Sequence, residues 1–114
     1  MKLSPKQRAA IYGMFDRHCA YCGVVLPEKG WHADHIQAKY REGPDDYVNF
    51  YPACSSCNRF KATYSIEEWR EQIELQVERA RRYSFNFRFA EKFGLVAQVN
   101  TTVVFYFETF GAPR

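Results

Sequence analysis

The sequence lacks any long apolar run. None of its 114 residues belongs to a stretch that approaches the roughly 18 to 20 apolar residues of a membrane-spanning helix. The N-terminal stretch also lacks the core of a signal peptide, because Pro5 and several charged residues interrupt it early. We therefore expect a protein of the reducing cytoplasm, where disulfide bonds do not persist.

The chain also has little net charge and no internal repeats, low-complexity tracts or linkers. Its 16 Lys and Arg residues and 13 Asp and Glu residues leave a formal net charge of +3. This balance permits a nucleic-acid partner without implying one. The hydrophobic share of 46% and aromatic share of 18% are typical of a folded protein, and the length predicts one domain over residues 1–114.

The positions of helix-capping residues, glycines and prolines predict a mixed α+β fold. Ser4, Pro5 and Gln7 supply an N-cap, a proline at the first helical position and a capping-box partner, so a helix is expected from Pro5 to about Asp16. Between residues 17 and 52, short apolar runs lie between turn signals, which is typical of strands joined by loops. Residues 54–63 are expected to form a turn that continues into a short helix.

A long helix is predicted after this turn. Ser65 and Glu68 have capping-box spacing, and the helical pattern continues to Arg82. Apolar residues recur at the spacing of one buried helix face. The members of this stripe are Ile66, Trp69, Ile73, Val77 and Ala80.

The C-terminal extension, about residues 84–114, is aromatic and fits two interpretations. Phe85, Phe87 and Phe89 alternate as in a strand, whereas Phe85, Phe89 and Phe93 followed by Gly94 fit a helix that ends at a glycine. We favour the helix. Two apolar runs on either side of residues 100–101 then predict a β-hairpin. We expect these aromatic side chains to pack against the hairpin or a second protomer rather than stack on bases.

Two Cys-x-x-Cys pairs predict a structural zinc site. The pairs have the same two-residue gap, and 31 residues separate Cys22 from Cys54. Tight turns of this kind point two sulfurs at one tetrahedral centre. Unconnected buried thiols and a redox motif are weaker explanations, because a redox motif is needed only once and the thioredoxin context is missing. The four expected ligands are Cys19, Cys22, Cys54 and Cys57.

The order of the remaining polar residues resembles the HNH endonuclease family. Asp34-His35-Ile36, Asn49 and the run Cys54-x-x-Cys57-Asn58-x-x-Lys61 lie between and around the two cysteine pairs. The similarity covers about residues 17–69. It implies a ββα-metal core stapled by zinc, with the N-terminal helix, the long helix and the hairpin around it.

The resemblance also implies roles for single residues in hydrolysis of DNA phosphodiester bonds. His35 would be the general base, since a neutral histidine can accept a proton from water. Asp34 and Asn58 would hold a catalytic divalent cation, and their oxygen ligands suit magnesium or manganese. Asn49 would orient the site without binding the cation. The products would carry a 5′-phosphate and a 3′-hydroxyl.

Two positions depart from the family pattern. Asn58 stands where many relatives have histidine, which makes the site richer in oxygen ligands. Ala38 stands where the family often has proline, so the loop beyond His35 need not follow the family conformation. Neither difference removes a chemical group that the reaction needs.

Other polar residues have more than one interpretation. His32 is expected to be structural. Arg59 and Lys61 are either a solvated helix face or contacts to DNA phosphates, and we favour the DNA contacts. A basic set, either a DNA-backbone contact or a solubilising surface, comprises Lys2, Lys6, Arg8, Arg79, Arg81 and Arg82.

The main hypothesis is therefore an HNH endonuclease with double-stranded DNA as its expected substrate. A zinc-stapled DNA-binding or protein-interaction module without catalysis is the alternative. A homodimer or a larger nuclease assembly is compatible with the chain. So are roles in mobile-element homing, phage defence, restriction and DNA packaging, since all of these use the same core.

Overall fold

The fold was analysed in a computed structural model that describes residues 2–38, 43 and 46–111. Contacts divide the chain into two compact units. The first consists of residues 1–66 and 104–114, and the second consists of residues 67–103. Helices and strands are mixed along the chain, as predicted. In order they are α1 (Pro5–Gly13), β1 (His32–His35), a 3-10 helix (Tyr47–Asn49), β2 (Phe50–Ala53), α2 (Ser55–Lys61), α3 (Ile66–Glu74), α4 (Gln76–Tyr83), α5 (Phe85–Lys92) and α6 (Tyr106–Thr109).

Helix α1 begins as the sequence predicts. The Ser4 hydroxyl accepts a hydrogen bond from the Gln7 amide, and the Gln7 side chain accepts one from the Ser4 amide. This capping box satisfies amides that have no partner inside the helix. The helix ends at Gly13, three residues before the predicted end at Asp16. Asp16 and Arg17 both have positive φ, a backbone geometry that a helix cannot contain.

The ββα core consists of β1, β2 and α2. The two strands pair antiparallel, with Asp34 opposite Tyr51 and His35 opposite Phe50. Helix α2 follows β2 directly, with Cys54 as its N-cap residue. The backbone of Cys54 is extended, and its sulfur accepts a hydrogen bond from the Cys57 amide. The predicted α+β fold is therefore confirmed, and the short helix expected within residues 54–63 begins at Ser55, inside the second cysteine pair.

The long helix predicted to reach Arg82 is interrupted. Leu75 ends α3 and precedes α4, so two helices replace one. The predicted apolar face is less buried than expected. Trp69 is buried, whereas Ile73 and Val77 are half-buried. Within the second unit, Arg70 donates to the Val103 carbonyl and Glu74 accepts from the Val103 amide, so polar contacts supplement a thin apolar face.

Helix α5 confirms the favoured interpretation of the phenylalanine segment. The Ser84 hydroxyl accepts the Phe87 amide at its start, and Gly94 follows its end with a φ of +72°. This left-handed geometry is where glycine is least strained. Phe85, Phe89 and Phe93 lie along the helix with neighbouring rings in contact, and all three are exposed.

The predicted C-terminal hairpin is wrong. Within the described part of the chain, residues 95–105 contain no strand, and α6 follows them. The amides of Tyr106 and Phe107 instead donate to the carbonyls of Tyr21 and Ala20, at 3.0 and 2.7 Å. The last apolar run therefore pairs with the loop of the first cysteine pair rather than with its neighbour in sequence.

This docking places C-terminal aromatic rings in the core of the first unit. Phe105 is 2% exposed and meets the Tyr21 ring edge-on at 5.7 Å. Gly23 has a φ of +80°, and a Cβ atom there would lie 2.7 Å from the Tyr106 ring. The turn after Cys22 thus requires glycine for its backbone geometry and for close approach of the C-terminal segment. Among the described residues, no helix has the length and apolar character to cross a membrane.

Candidate functional site

The four predicted zinc ligands converge on one point. The sulfurs of Cys19, Cys22, Cys54 and Cys57 all lie within 4.8 Å of one another. Those of Cys22 and Cys54 are 3.8 Å apart, which is too long for a disulfide bond of about 2.0 Å. Sulfurs bound tetrahedrally to zinc at about 2.3 Å lie about 3.8 Å from each other. The donor set and its spacing therefore fit a zinc ion.

The cluster is also chemically suited to metal binding. The hydrogen bond from the Cys57 thiol lowers the pKa of Cys19 to about 4, so a thiolate forms readily there. The Tyr21 amide also donates to the Cys19 sulfur at 3.4 Å. Backbone donors of this kind stabilise negative charge on a sulfur ligand. The four cysteines join the loop before β1 to the turn after β2.

One groove is lined by three of the predicted catalytic residues. It has a volume of about 390 Å³ and lies along β1 and α2. Asp34 and His35 reach it from adjacent positions of the strand, and Asn58 reaches it from the helix. Its remaining lining residues are Ala33, Ala38, Ala62 and Thr63.

Asp34 is buried and held by two donors on the same oxygen. The Tyr21 hydroxyl donates to Asp34 Oδ2 at 2.6 Å, and Lys61 Nζ lies 3.1 Å from that atom. Within the described residues, Asp34 Oδ1 takes no hydrogen bond. Burial raises the pKa of Asp34, although both donors oppose the change. Burial and the Asp34 charge raise the pKa of Tyr21, so its hydroxyl stays protonated as a donor.

Lys61 lies elsewhere than the sequence suggested. We expected it either on a solvated helix face or in contact with DNA phosphates, but its side chain is fully buried. Its ammonium donates to the His35 carbonyl at 2.7 Å and pairs with Asp34. Lys61 therefore links α2 to the two adjacent site residues of β1. Arg59, its predicted companion, is exposed.

Asn49 fixes the chain just after β1. Its side-chain amide donates to the Gln37 carbonyl at 2.9 Å and accepts from the Gln37 amide at 3.0 Å. The Asn49 carbonyl also accepts the Ile36 amide. These three bonds hold the loop that follows His35. The His35 ring lies 4.4 Å from the Phe50 ring, its partner across the sheet.

Sequence reasoning missed Tyr21 and the buried position of Lys61. Tyr21 lies between two zinc ligands and was not considered as a site residue. Its position between Cys19 and Cys22 could have indicated a site residue, because the cysteine cluster holds that loop against the sheet. For the burial of Lys61 the sequence offered no signal, because its spacing from Asn58 puts both residues on adjacent turns of one helix but does not say whether that face meets solvent or the sheet.

Known proteins resemble the part of the chain that contains the cysteine pairs and the groove. Residues 19–63 match the sequence model of the HNH endonuclease family. A Bacillus subtilis (strain 168) protein named "SPbeta prophage-derived putative HNH endonuclease YoqL" is 35% identical over 66 residues. The alignment covers 48% of this chain and 27% of the relative, so the chain spans about a quarter of that protein's length.

The family match covers both cysteine pairs, the β1–β2 sheet, α2 and the groove. It leaves α1 and everything after residue 63 outside. The resemblance to HNH endonucleases that the motifs indicated is thus confirmed over residues 19–63, the part of the chain that contains the zinc-compatible ββα core.

Proposed function

We propose that the chain is a metal-dependent endonuclease that hydrolyses phosphodiester bonds in DNA, with double-stranded DNA as its expected substrate. The observation that carries this proposal is the shared groove of Asp34, His35 and Asn58. One domain over residues 1–114 is part of the proposal, with a core over about 17–69. So is zinc as the structural ion of the four cysteines.

Asp34 and Asn58 would hold the catalytic cation. Carboxylate and amide oxygens suit magnesium or manganese. Tyr21 and Lys61 both act on Oδ2 of Asp34, which leaves Oδ1 available as a ligand. When bound, the cation would supply positive charge for the phosphorane-like transition state and the leaving oxygen.

His35 would be the general base. It would take a proton from the attacking water while the water oxygen bonds to phosphorus. The bond between phosphorus and the 3′ oxygen would break, and that oxygen would gain a proton from solvent. Products with a 5′-phosphate and a 3′-hydroxyl result. Lys61 at the His35 carbonyl and Asn49 at the following loop would keep the base in place.

Cleavage of supercoiled plasmid by the zinc-loaded protein tests this proposal. We expect nicking only with added magnesium or manganese, and a loss of about 10²-fold to 10⁴-fold in rate for His35→Ala. His18→Ala is the matched control, since His18 lies outside the groove, and its nicking is expected to persist. Circular dichroism should give the same fold for all three proteins.

Two outcomes contradict the proposal. Full activity of His35→Ala would remove the base. DNA binding without cleavage by a folded, metal-supplied wild type would favour the binding module instead.

A further inference from the structure

A second groove is also lined by His35. It has a volume of about 500 Å³ and shares Ala33 and His35 with the groove of the proposed catalytic residues. Its other lining residues are Lys2, Leu3, Arg8, Trp31, His32 and Phe50. We call it the N-terminal groove. Lys2, Leu3 and Arg8 precede the segment that matches the HNH family.

Arg8 is fixed at this groove by Trp31. The centre of its guanidinium lies 4.2 Å from the centroid of the Trp31 ring, and Nη2 donates to the Trp31 carbonyl at 3.4 Å. The Trp31 ring is buried and also contacts the Tyr12 ring at 5.2 Å. Because an arginine stacked on an aromatic ring keeps few conformations, its remaining donors are preorganised for a ligand.

The described lining of the groove carries positive charge. It includes Lys2 and Arg8, and none of the described lining residues is Asp or Glu. In the described part of the chain, neither cation pairs with a carboxylate. Apolar walls from Leu3, Trp31 and Phe50 lower the local dielectric constant and lengthen the range of this charge. Such a site favours a phosphate anion.

We propose that the N-terminal groove binds a backbone phosphate of the DNA strand next to the phosphate that is cut. This inference rests on the proposed nuclease function, because the two grooves meet at His35. Arg8 makes the directional contact through its planar donors, and Lys2 adds charge. Phosphate contacts of this kind set the position of the strand without reading its sequence.

Salt-dependent DNA binding measures this contact directly. The zinc-loaded full chain is titrated onto duplex DNA at several salt concentrations without added magnesium or manganese, so that the DNA stays uncut and His35, which lines the groove, is kept. Arg8→Gln is expected to weaken binding roughly tenfold and to reduce the slope of log affinity against log salt by about 0.9. Arg8→Lys keeps the positive charge but loses the planar guanidinium donors. We therefore expect the same slope of log affinity against log salt and a partial loss of affinity.

Lys6→Gln is the matched control. Lys6 is an exposed cation of the same helix that does not line the groove. Its removal changes net charge equally, and we expect a smaller loss of affinity than for Arg8→Gln. If Arg8→Gln disturbs α1, as judged by circular dichroism, Lys2→Gln replaces it, since Lys2 is exposed and precedes the helix.

The outcomes separate this inference from the proposed function. If the wild type nicks plasmid but Arg8→Gln and Lys6→Gln weaken binding equally, the proposed phosphate contact in the N-terminal groove is wrong and the nuclease function stands. Binding that depends on Arg8 without any nicking supports a DNA phosphate in the groove and overturns the hydrolysis. Absence of DNA binding by the wild type overturns the groove proposal.

Discussion

Asp34 and Lys61 form a buried ion pair that joins β1 to α2, with 3.1 Å between Lys61 Nζ and Asp34 Oδ2. Asp34 was recognisable because it precedes His35 between two cysteine pairs. Lys61 was recognisable as part of the motif, but its burial was not predictable. A lysine one turn beyond Asn58 can face solvent or the sheet, and only the packing of α2 on β1 decides between them. The structure buries it beside Asp34.

Loss of Lys61 should destabilise the fold strongly. Lys61→Met removes the cation beside a buried carboxylate, and breaking a buried pair in this way costs about 3–5 kcal/mol. Urea titration of the zinc-loaded protein measures the free energy of unfolding. Arg59→Met is the matched control on the same helix, and we expect a change below about 0.5 kcal/mol because Arg59 is exposed. Equal losses for the two variants would contradict the buried pair.

The effect of Lys61→Met should also depend on pH. Burial raises the pKa of Asp34, so the folded carboxyl holds its proton more tightly than the unfolded one. Folded-state stability therefore falls as pH rises above the ordinary value of 3.8 and through the raised pKa. Without Lys61 this fall should become steeper. We expect the two proteins to approach each other in stability towards acidic pH, and a constant difference would contradict this.

At the level of elements, capping chemistry predicted helix starts well and the partners of apolar runs poorly. Ser4 and Ser84 mark the beginnings of α1 and α5 through local hydrogen bonds. The run around Phe105 had strand-like composition, but composition does not state which backbone it will pair with. The amides of Tyr106 and Phe107 are satisfied by the first cysteine loop, a contact that spans most of the sequence.

Phe105→Ala tests whether the C-terminal segment belongs to the core. Phe105 is 2% exposed, and truncation of a buried phenylalanine costs about 3–5 kcal/mol. Phe110→Ala is the matched control, since Phe110 lies five residues later and is 39% exposed. Thermal unfolding of both variants should show the larger fall in melting temperature for Phe105→Ala. The reverse order would contradict the docking of this segment on the cysteine loop.

At the scale of the whole molecule, a zinc ion on the four cysteines would replace part of the apolar core of the first unit. The sheet of the first unit has two strands, which alone are marginally stable. The cysteines connect the loop before β1 to the start of α2, and the C-terminal segment packs on the same loop. The spacing of the cysteines made this staple predictable, because ligand geometry constrains sequence more tightly than apolar packing does.

Removal of zinc should therefore unfold the first unit. Structural zinc contributes on the order of 10–16 kcal/mol of apparent binding free energy in small fingers, which exceeds the net stability of most domains. A strong chelator is expected to abolish the native circular-dichroism spectrum, and stoichiometric zinc should restore it. Cys57→Ala should give the chelated spectrum without chelator. A native spectrum in metal-free protein would mean that the aromatic core around Tyr21 and Phe105 suffices, and that the cysteines contribute little to folding.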